Sequence, residues 1–283
     1  MISSLLARFA ESGPSVHVAP APVTQLGGLT ITNSMLYGWI STVLIIIALI
    51  AVARRVTVKP NGGFSQFIEA GAEFIVGLVE GAFDDKERGR KYVPFFTTLF
   101  FFILLSNWLG LLPIVGEGFH AGETPLFRPF TADLDGTLAA GIFTMAFVYA
   151  ASIRESGGFG KYMRHFFVGS PLNPLYFIIG ILEMLTDLTR TFSLALRLFL
   201  NVTIGEIVIA VFSYLGHFAA PLTALPFTLV ELFVGALQAY IFTVLSLMYL
   251  AIAVNHASEH AEHEDADVSD SQTGAMNVHA ESA

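Results

Sequence analysis

The chain has 283 residues, 54% of them hydrophobic and 26 of them phenylalanine, with a mean hydropathy of +0.67. A water-soluble domain of this length would not stay in solution with such a surface, so the composition points to an integral membrane protein. The absence of cysteine excludes disulfides, thiol nucleophiles and thiolate metal sites, and much of the net charge of −9 resides in Glu259, Glu262, Glu264, Asp265, Asp267, Asp270 and Glu281, in a stretch without lysine or arginine.

Residues 1–33 contain Pro14, Pro20 and Pro22, lack the basic start and long apolar core of a signal peptide, and read as an external N-terminal segment. The membrane domain is expected over 34–255. Its first span, 34–53 (SMLYGWISTVLIIIALIAVA), has the length a bilayer crossing needs and is followed at once by Arg54, Arg55 and Lys59. Residues 64–83 place Glu69, Glu73 and Glu80 among apolar residues at helical spacing, which predicts a surface amphipathic helix rather than a crossing. Its flank, DDKERGRKY, stays outside the lipid.

A second span is predicted at 94–113, carrying Asn107, and a polar excursion follows that ends near Asp133. A third span occupies 136–153, and RESGGFGKYMRH makes another basic loop. Residues 175–220 contain no proline, and a helix of that length would reach roughly 65–70 Å, about twice the hydrocarbon thickness, so it must be strongly tilted. Pro221 and Pro226 turn the chain into a second long apolar helix. The fold class is therefore all-α: five crossings and one surface helix, the last two crossings forming a tilted hairpin over 172–220 and 222–255, and then an acidic tail, 256–283. No internal repeat is visible.

Basic residues set the orientation. With the N-terminus outside, Arg54, Arg55, Lys59, Lys86, Arg88, Arg90, Lys91, Arg154, Lys161 and Arg164 are cytoplasmic, and Arg8 and Arg128 are external. Arg190 and Arg197 remain, and both lie inside the membrane segments.

An arginine at the bilayer centre costs about 2.5–3.5 kcal/mol on insertion scales and must be compensated. Glu183, Arg190 and Arg197 recur every seven residues, drifting only about 20° per step around a helix, and Asn201 lies about 40° from Arg197, so the four share a stripe. Glu206 lies about 180° from Arg197 and belongs to another face. Glu231 and Gln238, also seven apart, line one face of the second long helix, and Asn107 and Asp133 add polar groups toward the external side. Single intramembrane amides often only join helices, whereas ionisable groups usually mark pathways. Glutamates such as Glu206 and Glu231 can bind and release a proton when buried; arginine cannot. Arg197 thus reads as a fixed electrostatic gate that repels hydronium and attracts a carboxylate on a moving partner. Glu183 and Arg190, nearer the cytoplasmic end, read equally as a structural pair or as snorkelling side chains.

These residues carry a resemblance. ILEMLTDLTRTFSLALRLFLNVTIGE, LQAYIFTVLSLMYL, and FFFILLSNWLGLLP with PFTADLDGT are similar to the corresponding stretches of subunit a of the F-type ATP synthases, over about 94–255. The resemblance implies a stator subunit with two proton half-channels, coupling translocation to rotation of a ring of c subunits and contacting the peripheral-stalk b subunits of the larger complex in a bacterial inner membrane. By the same resemblance Arg197 matches the arginine facing the ring carboxylate, Asn201 and Gln238 flank it, Glu206 is the external half-channel acid, and Asn107 and Asp133 line that side. Glu231 stands where some members have histidine, and Gly110 where some have aspartate.

No G-x-x-x-x-G-K-[ST] loop is present, so the chain is expected to hold no catalytic site and no cofactor, and to bind no nucleic acid. His256, His260 and His263 have helical spacing that could hold a metal, but a solvated charged tail is the expectation. A rival function is a self-contained ion channel or secondary transporter, in which buried charges line the protein's own pore. The predicted topology puts a reporter fused after Ala283 in the cytoplasm and one inserted within 117–124 outside; the opposite accessibility would overturn five crossings with an external N-terminus.

Overall fold

Five helices of the computed structural model are long and apolar enough to cross a membrane: Asn33–Ala53, Val93–Gly110, Leu134–Glu155, and the segments Leu185–Gly216 and Ala220–Asn255 of two longer helices. The structure describes residues 20–26, 29–54, 63–112, 115, 120–121, 124–125, 127–158, 160, 174–216 and 219–281. In chain order these form β1 (Pro22–Leu26), β2 (Leu29–Thr32), α1 (Asn33–Ala53), α2 (Gly63–Ala82), α3 (Lys86–Arg90), α4 (Val93–Gly110), β3 (His120–Ala121), β4 (Thr124–Pro125), a 3-10 turn (Phe130–Ala132), α5 (Leu134–Glu155), α6 (Pro174–Gly216) and α7 (Ala220–Glu281).

Helix α1 shows the inverted logic of a lipid-facing element. Asn33, Ser34, Tyr37, Ser41 and Ile45, spaced by about one turn, are buried against the protein, while Trp39, Val43, Leu44, Ile46, Ile47 and Ile50 are exposed. Hydrocarbon accepts that outer face, so helices associate by packing and hydrogen bonding rather than by expulsion of apolar surface. The interior hydroxyls of Thr144, Ser152, Thr243 and Ser246 donate to carbonyls one turn back, which satisfies them without a partner helix.

The common core runs from Phe96, Phe101, Ile103 and Leu104 of α4 to Phe242, Leu247 and Leu250 of α7 and Leu194 and Leu198 of α6. Helix α2 presents Ile68, Ile75 and Val79 to this core and contacts α4 and α7. Phe95 stacks on Phe147, with ring centroids 3.5 Å apart, and joins α4 to α5. At the end where the basic residues gather, the Tyr92 hydroxyl donates to Glu155 Oε1 (2.9 Å), and burial, then the Glu155 carboxylate, push the Tyr92 phenol upward, so it remains a donor. Asn255 Nδ2 reaches the Ala82 carbonyl at 3.5 Å, fastening α7 to the end of α2.

Helices α6 and α7 run antiparallel, with contacts that step down one as they step up the other. Phe212 stacks on Phe227, the Glu231 carboxylate rests on Gly205, and the Arg190 guanidinium lies 5.0 Å from the centre of the Tyr249 ring.

Several elements differ from expectation. The flank after α2 forms the short helix α3, capped by Asp85 accepting from the Glu87 amide. Two small antiparallel strand pairs occur, one in the N-terminal segment and one in the polar excursion after the second span, where no strand is expected. Helix α7 starts at Ala220, keeping Pro221 in its first turn, where no amide hydrogen is needed, and retains Pro226 within the helix rather than turning there. It continues through the acidic tail to Glu281. The side chains of His256, His260 and His263 lie outside the described residues.

Candidate functional site

Arg197 opens onto a groove of about 590 Å³ on the outside of the α6–α7 pair, lined by Thr189, Phe192, Ser193, Leu196, Arg197, Leu200, Asn201 and Gln238. Asn201 is one turn beyond Arg197 on α6, and Gln238 comes across from α7. Among the described residues, Arg197 has no carboxylate within ion-pair distance, and the Asn201 Nδ2 and Gln238 Nε2 atoms, both buried, find no acceptor. Three donor groups therefore line one groove without an acceptor among the described residues, an arrangement suited to a carboxylate brought by something else.

Glu206 is nine residues further along α6, which amounts to about 13 Å of axial rise. Its neighbours are different. Gly205 contributes no side chain, and a Cβ built there would collide with the Glu231 carboxyl group, so the missing side chain is what lets Glu231 of α7 lie against α6 beside Glu206. Sequence reading put Arg128 on the external side in a polar excursion; the structure makes it an interior residue, only 4% exposed, whose Nη2 donates to the Ala132 carbonyl at 2.9 Å.

Asn107 of α4 donates from Nδ2 to the Gly235 carbonyl of α7 at 3.2 Å, and its neighbour Trp108 donates to the Leu232 carbonyl at 3.1 Å. The amide thus joins helices, and its Oδ1 is buried without a partner among the described residues. Asp133 is the N-cap of α5, accepting from the Asp135 amide at 3.3 Å and from the Ser34 hydroxyl of α1. It is 8% exposed, so it fixes α1 to α5 while remaining an interior carboxylate. Gly110, the position where resemblance allows aspartate, faces Pro129: a Cβ there would sit 3.0 Å from Pro129 Cγ.

Nearer the start of α6, Arg190 pairs with Asp187 at 3.0 Å, in the i, i+3 relation of one helix face. Asp187, which the seven-residue stripe passes over, is therefore the acid beside Arg190. The Glu183 side chain lies outside the described residues. Among the described residues no group of three or more His, Cys, Asp or Glu side chains could hold a metal.

Comparison with known proteins agrees in extent with this architecture. The family described as ATP synthase A chain matches residues 35–251. The chain belongs to that family. Relatives named ATP synthase subunit a include one from Gloeobacter violaceus, 31% identical over 87% of this chain and 94% of the relative, and one from Mycobacterium marinum, 30% identical over 92% and 100%. Another, from Myxococcus xanthus, is 31% identical over 83% of this chain and 76% of the relative. As a member of the ATP synthase A chain family with five helices able to cross a membrane, the chain is a multi-pass membrane protein.

The contact between Glu231 and Gly205 can be tested directly. In Gly205→Ala the new methyl group displaces a flexible carboxylate rather than backbone, so the subunit should still assemble, while ATP-driven proton pumping per assembled complex falls roughly tenfold. Pumping at the wild-type rate would mean that the position of Glu231 is immaterial.

Proposed function

We propose that this chain is the stator subunit of the ATP synthase membrane sector, providing two proton half-channels and coupling proton translocation to rotation of a ring of c subunits. The observation that carries this reading is the groove around Arg197, where a guanidinium and two amide donors converge with no acceptor from the described chain. A carboxylate on a ring subunit passing along the outer face of α6 and α7 supplies the complementary charge.

In this reading a proton arriving from outside passes the region of Asn107, Asp133, Glu206 and Glu231 and neutralises a ring carboxylate, which can then turn into lipid. After nearly a full rotation that carboxylate releases its proton toward the cytoplasm and meets Arg197 as an anion. Arg197 cannot relay a proton because its guanidinium stays charged, and it repels any hydronium approaching from either side. The separation of Arg197 from Glu206, about 13 Å along α6 and on opposite faces, supports two unconnected routes rather than one pore. Asn201 and Gln238 orient the ring carboxylate; Arg190, paired with Asp187, and Glu183 belong to the cytoplasmic end.

ATP formation takes place in other subunits, and this chain has no catalytic role. The partners are the c ring, the peripheral-stalk b subunits and the rest of the complex. The setting is a bacterial inner membrane, with residues 1–33 external, 34–255 as the membrane part and 256–283 cytoplasmic, an orientation supported by the basic residues that flank the spans.

Replacing Arg197 separates a gate from a helix anchor. Arg197→Ala should stop coupled ATP synthesis while passive proton flow through the assembled sector persists or rises, and Arg197→Lys should also uncouple, because a desolvated ammonium can lose its proton. Assembled subunit, passive proton flux and ATP synthesis are measured in the same vesicles. Normal synthesis per assembled complex in Arg197→Ala, with only the amount of complex reduced, would contradict the gate.

A further inference from the structure

Side chains at the start of α1 form a hydrogen-bonded chain that ends on a buried acid. Thr32, the N-cap of α1, is half-buried, and its Oγ1 accepts from the Met35 amide at 3.3 Å in a solvent-exposed contact. The same oxygen lies 3.0 Å from Ser34 Oγ. Ser34 is 1% exposed, and its hydroxyl donates to Asp133 Oδ2 at the N-terminus of α5. A hydroxyl has one proton to give and two lone pairs. Ser34 gives its proton to Asp133, so the proton between Ser34 and Thr32 comes from Thr32. The groups are thus ordered one way, Thr32 to Ser34 to Asp133, and Thr32 keeps a lone pair for water.

The alignment is held from both sides. Asn33 fastens the start of α1 by exchanging hydrogen bonds with Ala21: its Oδ1 accepts from the Ala21 amide at 3.1 Å, and its own amide donates to the Ala21 carbonyl at 3.0 Å. One turn beyond Ser34, a Cβ on Gly38 would lie 3.1 Å from Phe130 Cβ, and one on Gly136 of α5 would collide with the Phe130 carbonyl, so the turn leading into Asp133 is seated closely on α1 and α5. Of the helices packed on this turn, α1 and α4 contain no charged residue. Helix α5 adds Asp135, which is exposed, and Arg154 and Glu155 at its far end; α6 carries Glu206 beyond Arg197; and Arg128, on the turn itself, donates to the Ala132 carbonyl.

We propose that the Thr32 and Ser34 hydroxyls form an entry limb of the external access path, passing protons from water at the start of α1 to the Asp133 carboxylate. The inference rests on the reading of Asp133 as a member of that path and deepens it by naming what loads the acid. In the inward transfer a hydronium gives a proton to Thr32 Oγ1, the Thr32 proton passes to Ser34 Oγ, and the Ser34 proton passes to Asp133 Oδ2. Each O–H bond broken is matched by one formed: the hydronium becomes water, the carboxylate becomes a carboxylic acid, and both hydroxyls remain whole with their direction reversed. Rotation about their C–O bonds restores the starting order once Asp133 has passed its proton on.

The test follows proton-driven ATP synthesis per assembled complex in membrane vesicles as the pH at the external face is varied at constant total driving force. It compares wild type with Ser34→Ala, Ser34→Thr, Thr32→Asn and Asp133→Asn. Where delivery to the acid limits turnover, uptake scales with proton concentration, so delivery about tenfold slower moves the half-maximal external pH about one unit downward. Ser34→Ala should show that displacement, and Ser34→Thr, which keeps the hydroxyl, should stay on the wild-type curve. Thr32→Asn keeps a capping side chain but replaces the hydroxyl by an amide, and should be displaced as Ser34→Ala is. A Ser34→Ala curve that superposes on wild type overturns the proposal even if less complex assembles, because a fastener between α1 and α5 changes yield and not the response to protons. An equal displacement in Ser34→Thr overturns it as well. Should Ser34→Ala fail to accumulate, Thr32→Asn decides: a displaced curve supports the limb and a superposed one overturns it. Normal synthesis in Asp133→Asn removes Asp133 from the path and the limb with it, whereas impaired synthesis there with an unaltered Ser34→Ala removes only the limb.

Discussion

A guanidinium at membrane depth cannot escape its cost by giving up a proton, as lysine or glutamate can, so its position commits the surrounding structure to provide compensation. Arg197 meets no carboxylate among the described residues of its own chain and faces an open groove with Asn201 and Gln238. Most of what distinguishes this protein from an ordinary helical bundle follows from that constraint. The pair α6–α7 must present a long outer face, the acid Glu206 lies about 180° around α6 from Arg197, and the remaining helices pack against the pair.

That support is assembled by close approach more than by bulk. Core phenylalanines on α4 and α7 fill the centre, whereas elsewhere small residues let other groups in: Gly205 admits the Glu231 carboxyl, and the glycines facing Pro129 and Phe130 admit the 127–133 turn. In lipid, where apolar burial contributes little to helix association, such contacts together with the hydrogen bonds of Asn107, Trp108 and Asp133 hold the arrangement.

The five apolar spans, and a helix over the segment that carries Glu69, Glu73 and Glu80, are legible from hydropathy and spacing, because length and periodicity are properties of a one-dimensional string. The stripe through Arg190, Arg197 and Asn201 is legible for the same reason. The burial of Arg128 is not legible in this way: counting bases treats every arginine between spans as solvated, and nothing local to LFRPFTADLD reveals that Gly38 and Gly110 leave room for Phe130 and Pro129 of its turn. Asp187 lies three residues from Arg190 rather than seven, outside the seven-residue stripe, although i, i+3 spacing is itself a helix-face signal. The strand pair β1–β2 has one cue in the sequence, the Gly27-Gly28 dipeptide between two short β-prone runs.

The central claim is that the charge on Arg197 is answered from outside the chain, and proximity tests it most directly. Because the chain has no cysteine, a single one can be introduced at Leu196 in the groove or, as a control, at Ile142, which is 58% exposed on α5. Each is paired with a cysteine one turn from the ion-carrying carboxylate of the c subunit, and disulfide formation in membranes is scored under mild oxidation. The account predicts a cross-linked product with Leu196→Cys and none with Ile142→Cys. Absence of the Leu196 product, or equal yields at the two positions, would contradict it.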